Sequence, residues 1–189
     1  MKKPELLLPV GNTEAFYAAI DGGADAIYLG LRNFNARNRA KNFTLKQLQS
    51  ILTESQKKGI KVYLTLNTLI KNSELPELLD VLYQVSQTTL SSIIIQDWGT
   101  YYLARKFFPN ITLHASTQMA FHNSVGAEFA KRKNFERVIM ARELTLEELR
   151  IISSKSRIEL EVFTHGALCY SFSGLCLFSS FLGGMSANR

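Results

Sequence analysis

The strongest constraint in this chain is a change of hydrophobic period that repeats along its length. Short apolar runs of strand type alternate with stretches whose apolar residues recur at helical spacing. Glu5 to Val10 is closed by Gly11 and Asn12, then Ala15, Ala18 and Ala19 follow at helical spacing. Ala26 to Gly30 is the next strand. Thr44 opens a helix, with Gln47 completing a capping box and Leu45, Leu48, Ile51 and Leu52 as its buried stripe. Ile60 to Leu66 reads as strand, and Ser73 is expected to cap a helix carrying Leu75, Leu78, Leu79 and Leu82 inward. Ile93 to Ile95 is strand, a short helix follows Trp98, and Ile111 to Ala115 is strand. Ser124 to Lys133 is helix, Arg137 to Ala141 strand, and Thr145 with Glu148 forms a second capping box. Ile158 to Phe163 is the seventh strand.

Strand–helix repetition with continuously apolar strands implies parallel pairing. The choice lies between an open doubly wound sheet and a (β/α)8 barrel. No Gly-x-Gly-x-x-Gly opens the first helix, and the polar residues cluster where strands end, as a barrel's catalytic rim requires. The expectation is a TIM-barrel-like α/β fold over residues 1–189: one domain, an incomplete (β/α)8 barrel with seven strands visible.

Composition excludes several classes. At 46% apolar, with 12 Phe and 7 Tyr, the chain is not disordered, and two Cys in 189 residues make no disulfide framework. No run approaches the roughly 20 apolar residues that span a bilayer. Pro9 cuts the first apolar run too short for a secretory signal, so the reading is cytoplasmic with reduced thiols. A net charge of +6 is compatible with a polyanionic partner without requiring one.

In a parallel barrel every strand's C-terminal end opens on one face. That rim collects Asn35, Arg37, Asn67, Gln96, Asp97, Ser116, Gln118 and Arg142 as candidate substrate-binding residues. Candidate catalytic residues are His114, Arg142, Glu143 and His165. Each has a plainer reading: Asp97 and Ser116 suit helix caps, His114 an interior hydrogen bond, and Arg142 with Glu143 an ion pair. No Gly-x-Ser-x-Gly elbow, His-Glu-x-x-His pair or P-loop is present, so no ordinary hydrolase motif is visible.

Both cysteines, Cys169 and Cys176, fall just beyond the seventh strand. Two reduced core thiols or two metal ligands both fit. Two thiolates are half a tetrahedral set, and His165 is the one evident addition.

The segment Glu161, Phe163, Gly166, Ala167, Leu168, Cys169, Gly174, Cys176 and Ser179 resembles the signature of the peptidase U32 family, with Phe178 where an aliphatic residue is usual. The likeness extends through Glu5 to Asn12, Gly23 to Gly30, Ala40 to Phe43, His114 to Gln118, Ala141 to Leu144 and Ser186 to Arg189. The resemblance implies a TIM-barrel-like N-terminal region. It also implies either oxygen-independent hydroxylation (of a transfer-RNA wobble uridine, a ribosomal cytidine or the ubiquinone ring) or, alternatively, collagenase-like peptidase activity. For the hydroxylating members it implies a [4Fe–4S] cluster on four cysteines, of which Cys169 and Cys176 match the first two. The other two would lie downstream of Arg189, so this chain is not expected to complete a cluster from its own cysteines. RNA, a small carboxylate cosubstrate such as prephenate, and no membrane are the implied partners. The transfer-RNA hydroxylation branch is the expected one. An incomplete barrel would also leave a sheet edge open to self-association.

Overall fold

A computed structural model of the chain describes residues 3–36, 41–166, 169–177 and 181. Seven parallel strands pair strictly in chain order: β1 (Leu7–Pro9), β2 (Ala26–Gly30), β3 (Lys61–Leu66), β4 (Ser92–Ile95), β5 (Leu113–Ala115), β6 (Arg137–Ile139) and β7 (Glu159–Glu161). Between them run α1 (Thr13–Asp21), α2 (Leu45–Lys57), α3 (Leu75–Ser86), α4 (Trp98–Phe107), α5 (Ser124–Arg132) and α6 (Leu146–Ser156). Sequential order excludes the doubly wound alternative, whose strand order reverses partway.

The local chemistry behind these elements is visible at the helix starts. Asn12, Thr44, Asp97, Asn123 and Thr145 each accept a backbone N–H three residues on, and Thr44–Gln47 and Thr145–Glu148 form the two expected capping boxes. Ser73 is not a cap. It lies inside a 3-10 turn, Asn72–Glu74, where Glu74 accepts the Lys71 N–H at 2.7 Å and Pro76 sits in the first turn of α3. Proline needs no N–H partner there, so the turn runs directly into the helix.

Alternate strand residues divide the core. One large cluster joins Ile27, Leu29, Leu64, Leu66, Ile93, Ile95, Leu113 and Val138 to buried residues of all six helices. A second, small cluster holds Ala26, Tyr63, Ile94 and Ile139 and includes no helix residue. All helices therefore cover one face of the sheet, and the other face is the concave lumen.

The curl is fixed by charge inside that lumen. Arg137, at the start of β6, reaches Glu5 just ahead of β1 at 2.9 Å, and also Glu159 at 2.6 Å and Glu161 at 3.2 Å on β7. Glu5 takes further bonds from Tyr63 Oη and Lys61 Nζ, each 2.7 Å, and Arg137 lies over the Tyr63 ring. β1 and β6 are five strands apart in the sheet, so this contact requires the sheet to close most of a circle. The architecture is the curled, seven-stranded part of a barrel, with β1 and β7 as its two edges. Among the described residues no helix is long and apolar enough to cross a membrane.

Candidate active site at the C-terminal rim

The strand ends build the rim in two halves. On the β2–β3 side, Gly30 leaves room that Asn35 occupies: a Cβ at Gly30 would sit 1.9 Å from Asn35 Nδ2, so a side chain there would expel the asparagine. Asn35 Nδ2 donates to Asn42 Oδ1 at 2.8 Å, and Thr65 Oγ1 donates to the Leu29 carbonyl at 3.1 Å beside it. Asn67 Oδ1 accepts the Ala36 N–H at 3.1 Å and so ties the long β2–α2 connection to the end of β3. Asn35 and Asn67 are thus brought together at the rim, and Asn35 also lines a cavity of about 270 Å3 with Arg32, Thr68, Glu74 and Glu77. Arg37 lies outside the described residues. A second cavity of similar size lies between the α3–β4 and α4–β5 connections, at the opposite end of the strands.

On the β4–β7 side, Asp97 and Ser116 serve as caps. Asp97 Oδ1 accepts the Thr100 N–H at 2.7 Å, and buried Ser116 Oγ accepts the Gln118 N–H at 3.2 Å. Two rim groups have buried polar atoms without a hydrogen-bond partner: Gln96 Oε1 and Arg142 Nε. Such atoms are uncommon in folded proteins and suit a bound molecule that completes them. The Arg142 guanidinium lies 5.7 Å from the centroid of Phe163, beyond β7.

The cysteine segment docks on this half. Ser173 is fully buried; its N–H donates to Glu143 Oε1 at 2.5 Å, and its Oγ accepts the Arg142 N–H at 3.2 Å. Gly174 adopts φ +80°, and a Cβ there would meet the Gln118 carbonyl at 2.7 Å. The β5 and β6 connections therefore hold the turn between Cys169, which is exposed, and Cys176, which is half-buried. Burial alone would raise the Glu143 carboxyl. Hydrogen bonds from its own backbone and from Ser173, with His122 nearby at 3.5 Å, outweigh that and hold it below the usual carboxylate range. Glu143 is ionised and holds Ser173, and of the two readings of Arg142 the ion pair with Glu143 is not formed among the described residues. His165 is exposed beyond β7.

His114 is the principal correction. Its side chain is 1% exposed and points into the lumen at the N-terminal end, with Nδ1 3.1 Å from Ser92 Oγ and the ring edge-on to Tyr63. The cause is strand stagger: the middle of β5 pairs with the first residue of β6, Arg137. Burial and the Arg137 charge pull its pKa down to about 3, so the ring stays neutral, and the approach of Glu136 at 3.9 Å is no ion pair. It takes no part in the rim.

The same end holds Glu5, which sequence reasoning missed, while Glu161, read from sequence as a rim group, turns its carboxylate to Arg137. Glu5 is held down to about 2: burial opposes this, but bonds from Lys61, Tyr63 and Arg137 prevail. Glu161 is raised because burial exceeds the pull of Arg137. The available signal was Arg137, Glu159 and Glu161 at lumen-facing strand positions, where a solvated charge has no place.

Among the described residues no three His, Cys, Asp or Glu converge as a metal site. Cys169 and Cys176 lie on either side of one anchored turn and offer two soft thiolate donors, half of the four that a cluster takes.

A curled parallel sheet with its polar groups and cysteines gathered at the strands' C-terminal ends defines a TIM-barrel-type rim. The family model for peptidase family U32 matches residues 11–189, and the chain belongs to that family. It is 35% identical over 188 residues to tRNA hydroxylation protein P1 of Bacillus subtilis, covering all of this chain and 44% of that protein. It is 39% identical to a protein named as an uncharacterized protease from Methanocaldococcus jannaschii, covering 97% of this chain and 46% of the relative. It is 37% identical to 23S rRNA 5-hydroxycytidine C2501 synthase of Escherichia coli, with coverage of 98% and 28%. The chain thus spans less than half the length of these curated relatives. A solved structure described as a U32 peptidase superposes with TM-score 0.69 at 14% identity, over 86% of this chain and 70% of that one, a likeness of fold.

Proposed function

We propose that this chain forms the barrel part of an RNA-hydroxylating enzyme that acts on a pyrimidine of transfer or ribosomal RNA. Two relatives are named for hydroxylation of tRNA and of a 23S rRNA cytidine, which supports RNA as the substrate class. The single observation that carries the reading is the anchored turn. Ser173, held by Glu143 and Arg142, keeps Cys169 and Cys176 at the same rim as the unpartnered Gln96 Oε1 and Arg142 Nε.

In this reading Cys169 and Cys176 supply two of the four thiolates of a [4Fe–4S] cluster, which provides electron transfer when bound. Gln96 Oε1 accepts from the Watson–Crick edge or exocyclic amine of the base, and the Arg142 guanidinium holds a phosphate or carboxylate. Asn35, Asn67 and the cavity beside them accommodate the neighbouring part of the substrate.

The relative named as a protease keeps peptidase chemistry as the second reading. Against it, Glu143 is committed to Ser173 and His114 faces the other end, so neither is placed to act as a base at the rim. The separating experiment is nucleoside mass spectrometry of tRNA and rRNA from a deletion strain, run beside a protease assay on denatured collagen. Loss of a hydroxylated pyrimidine supports the proposal. Unchanged nucleosides with cysteine-independent proteolysis refute it.

A further inference from the structure

Positive charge and exposed aromatic surface coincide on the outside of the barrel. Between Trp98 and Phe135 the chain carries five Lys and Arg against one acidic residue, so four of its six net positive charges fall in this stretch. On α4, Trp98, Tyr102 and Lys106 recur every four residues along one face, with Trp98 46% and Tyr102 58% exposed. On α5, Val125, Phe129 and, just past the helix, Lys133 repeat the pattern, with Phe129 44% exposed. The two stripes meet where Trp98 and Phe129 approach edge to face at 5.8 Å. Lys106 lies over the Tyr102 and Phe107 rings at 5.5 and 5.2 Å, and Lys133 over Phe129 at 5.6 Å.

The neighbouring cations have other work. Arg105 donates to the carbonyls of Ile111 and Asn134, Lys131 to that of Arg157, and Arg132 pairs with Glu128. Lys106 and Lys133 are exposed and, among the described residues, lie over aromatic rings, a pairing that tolerates a second, anionic contact. Solvent-facing rings flanked by cations, with no carboxylate on either stripe, match what a nucleic-acid strand presents: flat bases and a line of phosphates. A protein partner would need no such charge bias. Trp98 lies two residues beyond Gln96, so the face begins at the rim and runs down α4.

We infer that the outer α4–α5 face is the surface on which the protein holds its RNA, with bases stacking on Trp98, Tyr102 and Phe129 and phosphates paired with Lys106 and Lys133. This rests on the RNA reading of the rim and adds where the substrate strand outside the reacting base lies.

The test is fluorescence anisotropy of the complete protein with a labelled 20-nucleotide single-stranded pyrimidine RNA across a salt series. Trp98 packs on Phe129 and Phe135, so its removal could disturb the fold; Tyr102→Ala and the double variant Lys106→Ala, Lys133→Ala change exposed groups only. Tyr102→Ala is expected to weaken binding about 5- to 150-fold. The double variant is expected to reduce the slope of log affinity against log salt by about 1.4, the loss of two phosphate contacts on a single strand. Affinities within twofold of the unaltered protein, with an unchanged slope, overturn the surface and leave the RNA reading standing. Failure of the unaltered protein to bind RNA overturns both.

Discussion

The Ser173 N–H donates to Glu143 Oε1 at 2.5 Å, joining the turn between the two cysteines to the connection that follows β6. The turn itself, Ser173 and Gly174, lies outside the named helices and strands. The Ser173 Oγ contact with the Arg142 N–H and a close approach at Gly174 that a side chain would forbid also hold it.

Glu143→Gln keeps the side chain's size but weakens a charge-assisted bond, and Gly174→Ala puts a Cβ against the Gln118 carbonyl. Both variants are expected to fold and to release the turn. Alkylation of Cys176, half-buried in the docked state, is expected to accelerate several-fold in each, read by mass spectrometry after timed quenching. Unchanged alkylation would mean that the turn is held elsewhere.

Arg137 is surrounded by Glu5, Glu159 and Glu161, and its side chain is nearly inaccessible. Arg137→Met leaves those carboxylates facing one another. The expected loss is roughly 3–5 kcal/mol at pH 7, measured by urea unfolding. The deficit is expected to shrink as pH falls toward 4.5, because protonation relieves the repulsion. A deficit constant with pH would contradict the assignment.

His114 gives the fold a pH dependence of definite sign. Its folded pKa, about 3, lies below the unfolded value near 6.5, so the unfolded chain binds the proton first. Stability is complete above pH 6.5 and is lost as pH falls toward 3, with a slope near 1.4 kcal/mol per unit from this one group. Glu5, lowered to about 2, adds loss below the ordinary glutamate range; Glu161, raised by burial, opposes both. His114→Gln is expected to flatten the stability curve between pH 6.5 and 5. An unflattened curve would place the titration elsewhere.

Much of this was legible from the chain. β2 spans the expected Ala26–Gly30, both capping boxes form as the Thr-x-x-Gln and Thr-x-x-Glu spacings require, and the strand order follows the strand–helix rhythm. Those features are local or depend only on period. His114 was misplaced because its height in the barrel depends on strand stagger, a property of paired strands that no single segment carries. Glu5 gave no signal, since it precedes β1 and meets its partners only when the sheet curls. Asp97 and Ser116 read as caps or as ligand groups from sequence, and their hydrogen bonds show the capping role.

Thiolate ligation at the rim has its own signature. Anaerobic iron–sulfur reconstitution of the complete protein is expected to give a broad visible charge-transfer absorption. That absorption is expected to disappear in Cys169→Ser and in Cys176→Ser. Its retention in either variant would remove that cysteine from the ligand set.

The most direct measurement joins the cysteines to the RNA. A deletion strain is complemented with the unaltered protein or with Cys176→Ser at matched expression, and hydroxylated pyrimidines in its tRNA and rRNA are quantified by mass spectrometry. The account predicts that the unaltered protein restores the modification and that the variant leaves it absent. Restoration to the same level by Cys176→Ser would contradict it.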